Sequence, residues 1–281
     1  MKTVLSTQML NNLPQSTPQP LVISEAEFER TRNLFHEKTG IYLVESKITL
    51  VAGRLLRRLR LLNFATLSAY LDYIESDSDP TELDFFVHAL TTHETWFFRE
   101  PAHFEFFYHW LKENNRPLKI WSAACSTGEE VWSLAMTMIE AGHESKSQLF
   151  GTDIDVYSLD TAAKGEYTLE DAESIPEAFL KKYCLKKKSG STFAINNFVR
   201  SFVSFCRVNL DQDFEYTWRD FDCIIIRNVM IYLKSEKRAE VMERIQAVLK
   251  PGGILITGHA ESSQGFLQKL KVIRPSIYQK T

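Results

Sequence analysis

An alternation of apolar strands and helices, beginning near residue 115, restricts the fold more than any other feature of the sequence. The segments typical of strands are LKIWSAAC, QLFGTDID, FVSFCRVNL, FDCIIIRN and ILITGHA, and helices are indicated by EEVWSLAMTMIEAG and SEKRAEVMERIQAVL. Strands of this kind, separated by helices, predict a parallel sheet that helices cover on both faces. In such sheets ligands bind beyond the carboxyl ends of the strands, and we therefore expect a binding site there.

The region before the sheet has a different character. Residues 1–22 are rich in Gln, Ser, Thr and Pro without a sustained period, which is typical of a flexible tail. Residues 23–100 are predicted to form a helical domain with a linker at its end. Its first helix is indicated by Ser24 and Glu27, which match a capping box, and by Gly40, which follows the last turn.

The sheet domain is expected over residues 101–281, with an insertion at 165–200 between its second and third parallel strands. The stretch KYCLKKKSGSTFAINNFVRSF predicts a short helix and a hairpin that turns at Ser189 and Gly190. We expect this inserted β subdomain to be a secondary docking element outside the ligand site, because an exposed edge strand can accept an extended peptide. A short solvated hairpin without a partner is the alternative.

The turn after the first strand, CSTGEE, resembles a nucleotide site in shape but not in charge. Gly128 allows a close backbone approach, yet Glu129 and Glu130 begin the helix where a bound phosphate would lie. Two carboxylates favour a ligand with cationic groups, and Asp153 at the end of the second strand is placed to accept hydrogen bonds from ribose hydroxyls. A ribose joined to a cationic amino-acid tail describes S-adenosylmethionine. The alternative is that the two glutamates only stabilise the helix start through its dipole.

Polar residues follow two further strands, at RVNL and at IIIRNVMIYL. Asn209, Arg227 and Asn228 therefore lie at the same rim as Gly128 and Asp153. Convergent polar groups at a rim are typical of a binding site, whereas single ones are more often loop residues.

Composition excludes several other classes of function. The net charge of −3 argues against general nucleic-acid binding, and the four widely separated cysteines form neither a zinc motif nor a disulfide framework. No apolar span of ~20 residues and no signal peptide is present, so a cytoplasmic protein without membrane insertion is expected. No metal is expected.

Six motifs in the same order give the sequence a family resemblance. It resembles the CheR-type chemotaxis receptor glutamate O-methyltransferases from about residue 24 to 281. The motifs that carry the resemblance are TTHETWFFRE, WSAACSTGEE, GTDID, VNL, RNVMIYL and PGGILITGHAES. The implied fold is a class I S-adenosylmethionine-dependent methyltransferase domain, a Rossmann-like α/β sheet with a small β-hairpin insertion, preceded by an all-helical N-terminal domain.

The resemblance also implies the residues of the site. S-adenosylmethionine, with S-adenosylhomocysteine as its product, is expected to contact His93, Thr95, Arg99, Glu129, Asp153, Asn209, Leu210, Arg227 and Asn228. His93 stands where the family pattern has Asn, and an imidazole lacks the simultaneous donor and acceptor of an amide. Tyr232 is implied to border the transferred methyl group and, with Arg99, to serve catalysis; the alternative for Tyr232 is a core aromatic.

The implied chemistry needs no strong base, because a glutamate side chain with a pKa near ~4.3 is already ionised at neutral pH. Positioning and exclusion of water are the useful contributions. Cys125 is accordingly expected to be a small packing residue. His259 and Glu261 are expected to have structural or rim roles.

A basic helix in the helical region is the expected docking surface for the protein substrate. In SKITLVAGRLLRRLRLL the apolar stripe is Ile48, Val51, Leu55, Leu59 and Leu62, and the basic residues on another face are Lys47, Arg54, Arg57 and Arg58. A solvated charged face is the ordinary interpretation. The resemblance favours docking against the acidic cytoplasmic methylation helices of chemoreceptors.

The sequence thus predicts a cytoplasmic, monomeric enzyme that methylates glutamate γ-carboxylates of methyl-accepting receptors, giving methyl esters in sensory adaptation. Two alternatives remain. One is a catalytically silent S-adenosylmethionine-binding regulator. The other is an NAD-dependent oxidoreductase, which the acidic helix start and the missing Gly-x-Gly-x-x-Gly pattern disfavour. The receptor, its modified glutamates and the role of the insertion cannot be read from the sequence.

Overall fold

The computed structural model describes residues 23–76, 79–188, 190–215, 217–261 and 270–281. The predicted tail at 1–22 and Ser189 of the predicted hairpin turn lie outside the described residues.

Four helices form the first part of the described chain. The capping box is confirmed: the Ser24 hydroxyl accepts from the Glu27 amide at 3.2 Å, and the Glu27 carboxylate accepts from the Ser24 amide at 3.0 Å. The first helix ends at Gly40, whose φ of +74° is left-handed, as expected. The four helices are α1 (Glu25–Thr39), α2 (Ile48–Leu62), α3 (Leu67–Glu75) and α4 (Pro80–Leu90).

These helices enclose a hydrophobic core of their own. From the apolar stripe of α2, Val51, Leu55 and Leu59 are fully buried in it, packed with side chains of α1, α3 and α4. Leu62, at the other end of the stripe, is exposed instead, because α2 ends there and Asn63 turns the chain. Domain bounds at 23–100 and 101–281 remain a prediction.

The second part is a seven-stranded sheet in the order β6-β2-β1-β7-β8-β10-β9. The first five strands of that order are parallel, as the alternation predicts, and β10 and β9 run antiparallel at one edge. The order reverses between β1 and β7, which is where ligands bind in sheets of this type. The strands are β1 (Lys119–Ala123), β2 (Gln148–Asp153), β6 (Val203–Arg207), β7 (Phe221–Ile226), β8 (Leu249–Thr257), β9 (Leu270–Arg274) and β10 (Ile277–Lys280).

Helices cover both faces because successive strand residues point to opposite sides. In β1, Ile120 belongs to the core under α5 and α6, whereas Trp121 belongs to the core under α10. The strands β7 and β8 alternate in the same way, so almost every residue of β7 is apolar and buried. The covering helices are α5 (Pro101–Glu113), α6 (Glu129–Ala141), α7 (Val156–Lys164) and α10 (Ser235–Val248).

The insertion lies between β2 and β6, as predicted, but contains more than one hairpin. A third strand pairs with the hairpin, giving an antiparallel sheet in the order β3-β5-β4. Its elements are β3 (Glu166–Thr168), α8 (Glu177–Tyr183), β4 (Cys184–Lys186), β5 (Thr192–Ile195) and α9 (Asn197–Arg200).

Two details at the end of the chain differ from expectation. The strand predicted at ILITGHA begins earlier, because the preceding segment KPGG is part of β8, which begins at Leu249 and has Gly252 at a left-handed φ of +75°. The antiparallel strands β9 and β10 were not predicted. Among the described residues no helix is long and apolar enough to cross a membrane.

Candidate functional site

A pocket of about 310 Å³ opens at the carboxyl ends of four neighbouring parallel strands. Its lining includes residues at or after the end of each strand: Ala124 to Ser126 after β1, Asp153 as the last residue of β2, Val208 to Asp211 after β6, and Arg227 to Val229 after β7. This volume is in the range of small-molecule sites. The position agrees with the expectation drawn from the strand pattern.

The turn after β1 has an unusual backbone. Ala124 and Ser126 have φ angles of +59° and +51°, and Gly128 has +94°. A Cβ at Gly128 would lie 2.6 Å from the Cβ of Ala162, so no larger residue fits where α6 approaches α7. Asn228, on the opposite wall, also has a positive φ of +59°. A non-glycine residue with a left-handed backbone costs roughly 1–2 kcal/mol of conformational energy, and such residues concentrate at functional sites.

Asp153 anchors that turn. One of its carboxylate oxygens accepts from the Ser126 amide at 2.8 Å, and the other accepts from the Asp155 amide at 3.0 Å. Burial raises the pKa of Asp153, although these two backbone hydrogen bonds oppose the shift. Each carboxylate oxygen has a further lone pair, so the side chain can still accept hydrogen bonds from ligand hydroxyls.

The two glutamates at the start of α6 have different positions, which the sequence could not distinguish. Glu129 lies outside the pocket lining; it is buried, and its carboxylate accepts from the Thr127 hydroxyl at 2.7 Å. Burial raises the pKa of Glu129 to about 7. Glu130 lines the pocket instead. The cofactor contact predicted for Glu129 stays a prediction, and Glu130 is a second carboxylate at the start of α6 that lines the cavity.

Arg227 is the most enclosed cation of the site. Its guanidinium bonds the Glu130 carboxylate at 2.8 Å and lies 3.1 Å from the Glu100 carboxylate, with its side chain 2% exposed. Burial opposes ionisation of Glu100, but Arg227 and the two nearby histidines outweigh it, so its pKa is lowered. Arg227, directly after β7, thus links the starts of α5 and α6, and two carboxylates compensate its charge.

The segment that follows β7 is held by Glu261. The Glu261 carboxylate accepts from the amides of Val229 and Met230 at 2.8 and 2.7 Å, and from Gly258 at 2.7 Å. This confirms the structural role expected for Glu261. Cys125 is buried beside the turn, and burial raises the pKa of its thiol, which agrees with a packing residue.

Residues between α1 and α2 close the pocket from the helical side. The Tyr42 amide donates to the Tyr232 carbonyl at 2.9 Å, and the Asn209 amide group donates to the Lys38 carbonyl at 3.1 Å. A Cβ at Gly40 would lie 2.7 Å from the Cβ of Asp211, so the close contact between the end of α1 and the segment after β6 also requires glycine.

Most of the predicted site residues meet in this one cavity. Those that line it are His93, Thr95, Arg99, Asp153, Asn209, Leu210, Arg227, Asn228 and Tyr232. Lys47, expected on the docking surface, lines it as well. The sequence did not reveal the wall built from residues 39, 41–44 and 50, because apolar loop residues such as Ile41 and Leu43 resemble ordinary core positions. No described residue of 165–200 is part of the lining.

The expected basic face of α2 is only partly present. Arg54 donates to the carbonyls of Ala89 and Thr91 at 3.1 and 2.7 Å, and Arg58 bonds the buried Glu82. Glu82 of α4 thus compensates the charge of Arg58, and Arg54 is held by carbonyls at and after the end of α4, both far away in sequence; the docking role of these two side chains stays a prediction. Arg57 is exposed, and so is Arg60, which was not predicted.

Comparison with known proteins agrees with this geometry. Two family models match consecutive parts of the chain: the CheR methyltransferase all-alpha domain at residues 26–91 and the CheR methyltransferase SAM-binding domain at 93–278. The chain belongs to the CheR methyltransferase family. The helical region and the sheet region therefore correspond to the two domains of such a protein.

Relatives cover almost the whole CheR-family chain. Chemotaxis protein methyltransferase 2 of Pseudomonas aeruginosa is 37% identical to it, over 95% of this chain and 99% of the relative. The chemotaxis protein methyltransferases of Salmonella typhimurium and Escherichia coli are each 31% identical, over 92% of this chain and 92% of either relative.

The residues present fit S-adenosylmethionine. The lining places the acidic side chains of Asp153 and Glu130 together with apolar ones such as Leu210, which suits a ligand with ribose hydroxyls, a purine and a cationic tail. The partly buried Asp153 carboxylate, with lone pairs remaining, is the observation that bears most directly on this fit.

Proposed function

We propose that this CheR-family protein transfers a methyl group from S-adenosylmethionine to glutamate γ-carboxylates of chemotaxis receptors. The observation that carries the proposal is one cavity at the carboxyl ends of β1, β2, β6 and β7, whose lining includes nine of the ten implied cofactor and catalytic residues. The names of the relatives supply the chemotaxis context.

Binding is assigned to the carboxylates and the linker. Asp153 would accept hydrogen bonds from ribose hydroxyls, and Glu130 would face the cationic amino-acid tail. His93, Thr95 and Asn209 would contribute neutral hydrogen-bonding groups around them. Arg99, whose guanidinium donates to the Glu94 carbonyl at 2.8 Å and lies 4.3 Å from the Trp96 ring centre, is fixed at the mouth.

When bound, the sulfonium group of S-adenosylmethionine would supply an activated methyl group. An oxygen of the acceptor glutamate would form the new O–C bond as the methyl–sulfur bond breaks, and the electron pair of the broken bond would stay on sulfur. No proton moves in that step at neutral pH, because the acceptor glutamate is ionised. The protein's contribution is to align the carboxylate in line with the methyl and to exclude water from it. Tyr232 and Asn228 border the cavity where β7 ends, and we assign the alignment to them.

Lys47 has a place in this scheme. It is a cation in the lining of a pocket that also contains four acidic residues, Glu94, Glu130, Asp153 and Asp211. An entering glutamate would be repelled by those groups, and a lysine at the wall offsets part of that repulsion. We assign Lys47 to orienting the acceptor carboxylate, and docking of the receptor helix to Arg57 and Arg60 on the outside of α2.

Methyl transfer from radiolabelled S-adenosylmethionine to a receptor cytoplasmic fragment tests the proposal. Label should enter the wild-type fragment and be lost when its methylation-region glutamates are changed to alanine. Incorporation that is unaffected by those changes would contradict glutamate as the acceptor.

Binding measurements separate this proposal from its two rivals. S-adenosylhomocysteine should bind by calorimetry and NAD should not; the reverse would identify an oxidoreductase. Binding of S-adenosylhomocysteine without label transfer to any receptor fragment would favour a silent regulator.

A further inference from the structure

Two histidines and one carboxylate meet beside the pocket, on three different elements. His88 belongs to α4, His93 to the linker after it, and Asp155 precedes α7. The Asp155 Oδ2 atom lies 2.8 Å from His88 Nδ1 and 2.7 Å from His93 Nε2. The three potential ligand atoms all lie within 4.8 Å of one another.

The carboxylate is fixed by its own surroundings. The Asp155 side chain is fully buried; its Oδ1 accepts from the Tyr157 amide at 3.0 Å, and its Oδ2 also accepts from the Ser158 hydroxyl at 2.7 Å. These two contacts hold the Asp155 carboxylate in place beside the two rings.

The two rings remain accessible. The His88 and His93 side chains are 38% and 26% exposed, and their rings stack with centres 4.9 Å apart. The Tyr157 ring packs against the His88 ring, with ring centres 5.0 Å apart. A small ion can thus reach the Asp155 oxygen from solvent between groups that already converge on it.

We propose that His88, His93 and Asp155 bind a divalent transition metal ion, with Zn²⁺ as the probe of choice. Metal–ligand distances of about 2.0–2.2 Å in tetrahedral geometry separate neighbouring ligand atoms by about 3.3 Å. The present N–O distances of 2.7 and 2.8 Å need to lengthen by only about 0.5 Å, and a small rotation of the partly exposed rings is enough for that. Two imidazoles and one carboxylate leave the fourth position to water.

A second cluster of the described residues is a poorer candidate. Glu100, His103 and His259 also lie within ligand distance of one another. The Arg227 guanidinium, however, is 3.1 Å from the Glu100 carboxylate, and a bound cation would be repelled by it. Among the described contacts of Asp155 there is no arginine or lysine, so the first site is the one proposed, and the second provides a matched control.

Calorimetric titration of the untagged, metal-free full chain with Zn²⁺ tests the site. We expect one equivalent to bind, with at least tenfold weaker binding in His88→Gln, because even loss of an outer partner commonly costs 10–100-fold. The control His259→Gln should bind as the wild type does. Circular dichroism shows whether each variant is folded, and His93→Asn, at the second ring, replaces His88→Gln if that variant is not.

Substitution with Co²⁺ identifies the ligands. The visible absorption of the complex should disappear in His88→Gln and persist in His259→Gln. Absence of Zn²⁺ binding, loss of binding only in His259→Gln, or a near-ultraviolet thiolate band that places the ion on a cysteine would each overturn the proposal. None of these results depends on methyl transfer.

Discussion

Replacing Arg58 by alanine should destabilise the helical domain strongly, whereas replacing its neighbour Arg57 should not. The Arg58 side chain is 20% exposed and bonds Glu82, which is 3% exposed, through Nε at 3.0 and 3.2 Å. Its guanidinium also lies 3.9 Å from the ring centre of Phe85. Without it, the Glu82 carboxylate stays buried with the Tyr70 hydroxyl, at 2.6 Å, as its remaining side-chain partner among the described contacts.

The magnitude follows from that burial. Removing one partner of a buried ion pair costs about 3–5 kcal/mol, and the partial exposure of Arg58 places the expected loss near the lower value, about 3 kcal/mol. Arg58→Lys keeps the charge but loses the two-pronged contact, so an intermediate loss is expected. Arg57→Ala, an exposed site one residue away, should stay within about 0.5 kcal/mol of the wild type.

Denaturant unfolding followed by circular dichroism measures these differences. Equal stability of Arg58→Ala and Arg57→Ala would refute the reasoning, since it would mean that the Arg58–Glu82 pair contributes no more than a solvated surface charge.

Four further predictions concern the pocket and its surroundings. Asp153→Ala should weaken S-adenosylhomocysteine binding about tenfold or more, since hydrogen bonds to charged groups contribute roughly 1.5–3 kcal/mol; unchanged calorimetric affinity in a folded variant would disprove the assignment. Tyr232→Phe should lower kcat more than it changes cofactor affinity, and equal losses would make Tyr232 a binding or packing residue. Glu129 has a folded pKa of about 7 against an ordinary value of 4.5, so it binds its proton more tightly in the folded state and stability falls as pH rises between those values. Glu129→Gln should therefore be more stable than the wild type at pH 8, by up to roughly 3 kcal/mol, and gain little near pH 4.5; no gain in the urea midpoint at pH 8 would contradict this. Arg57→Ala with Arg60→Ala should raise the KM for receptor and make it nearly insensitive to salt, because screening acts on exposed charges; parallel salt responses of mutant and wild type would remove these residues from the docking surface.

The parallel sheet and its binding edge could be predicted because their signals are local. Apolar runs such as that of β7 need burial on both faces, and polar residues directly after a strand can only lie at its rim. The same logic brought Asp153, Asn209 and Arg227 together correctly. The antiparallel edge was missed because β9 is a short, largely exposed segment with a weak pattern.

Side-chain partners that are distant in sequence could not be predicted. Arg54 and Arg58 have their partners 24 to 37 residues away, so the α2 sequence alone showed only uncompensated charge. Nor could the sequence predict that Glu130 lines the cavity and Glu129 does not, since a difference of one position turns a helical side chain by about 100°. The His88–His93–Asp155 cluster spans 67 residues and three elements, which no spacing rule anticipates.

The most direct test of the proposed function is to locate the transferred methyl group on the receptor. After incubation with S-adenosylmethionine, peptide mass spectrometry should find a gain of one CH₂ on glutamate side chains, and mild alkali should remove it as methanol because a methyl ester hydrolyses. Asp153→Ala should reduce this modification at limiting S-adenosylmethionine. An alkali-stable methyl group, or one on another type of side chain, would contradict glutamate esterification by this pocket.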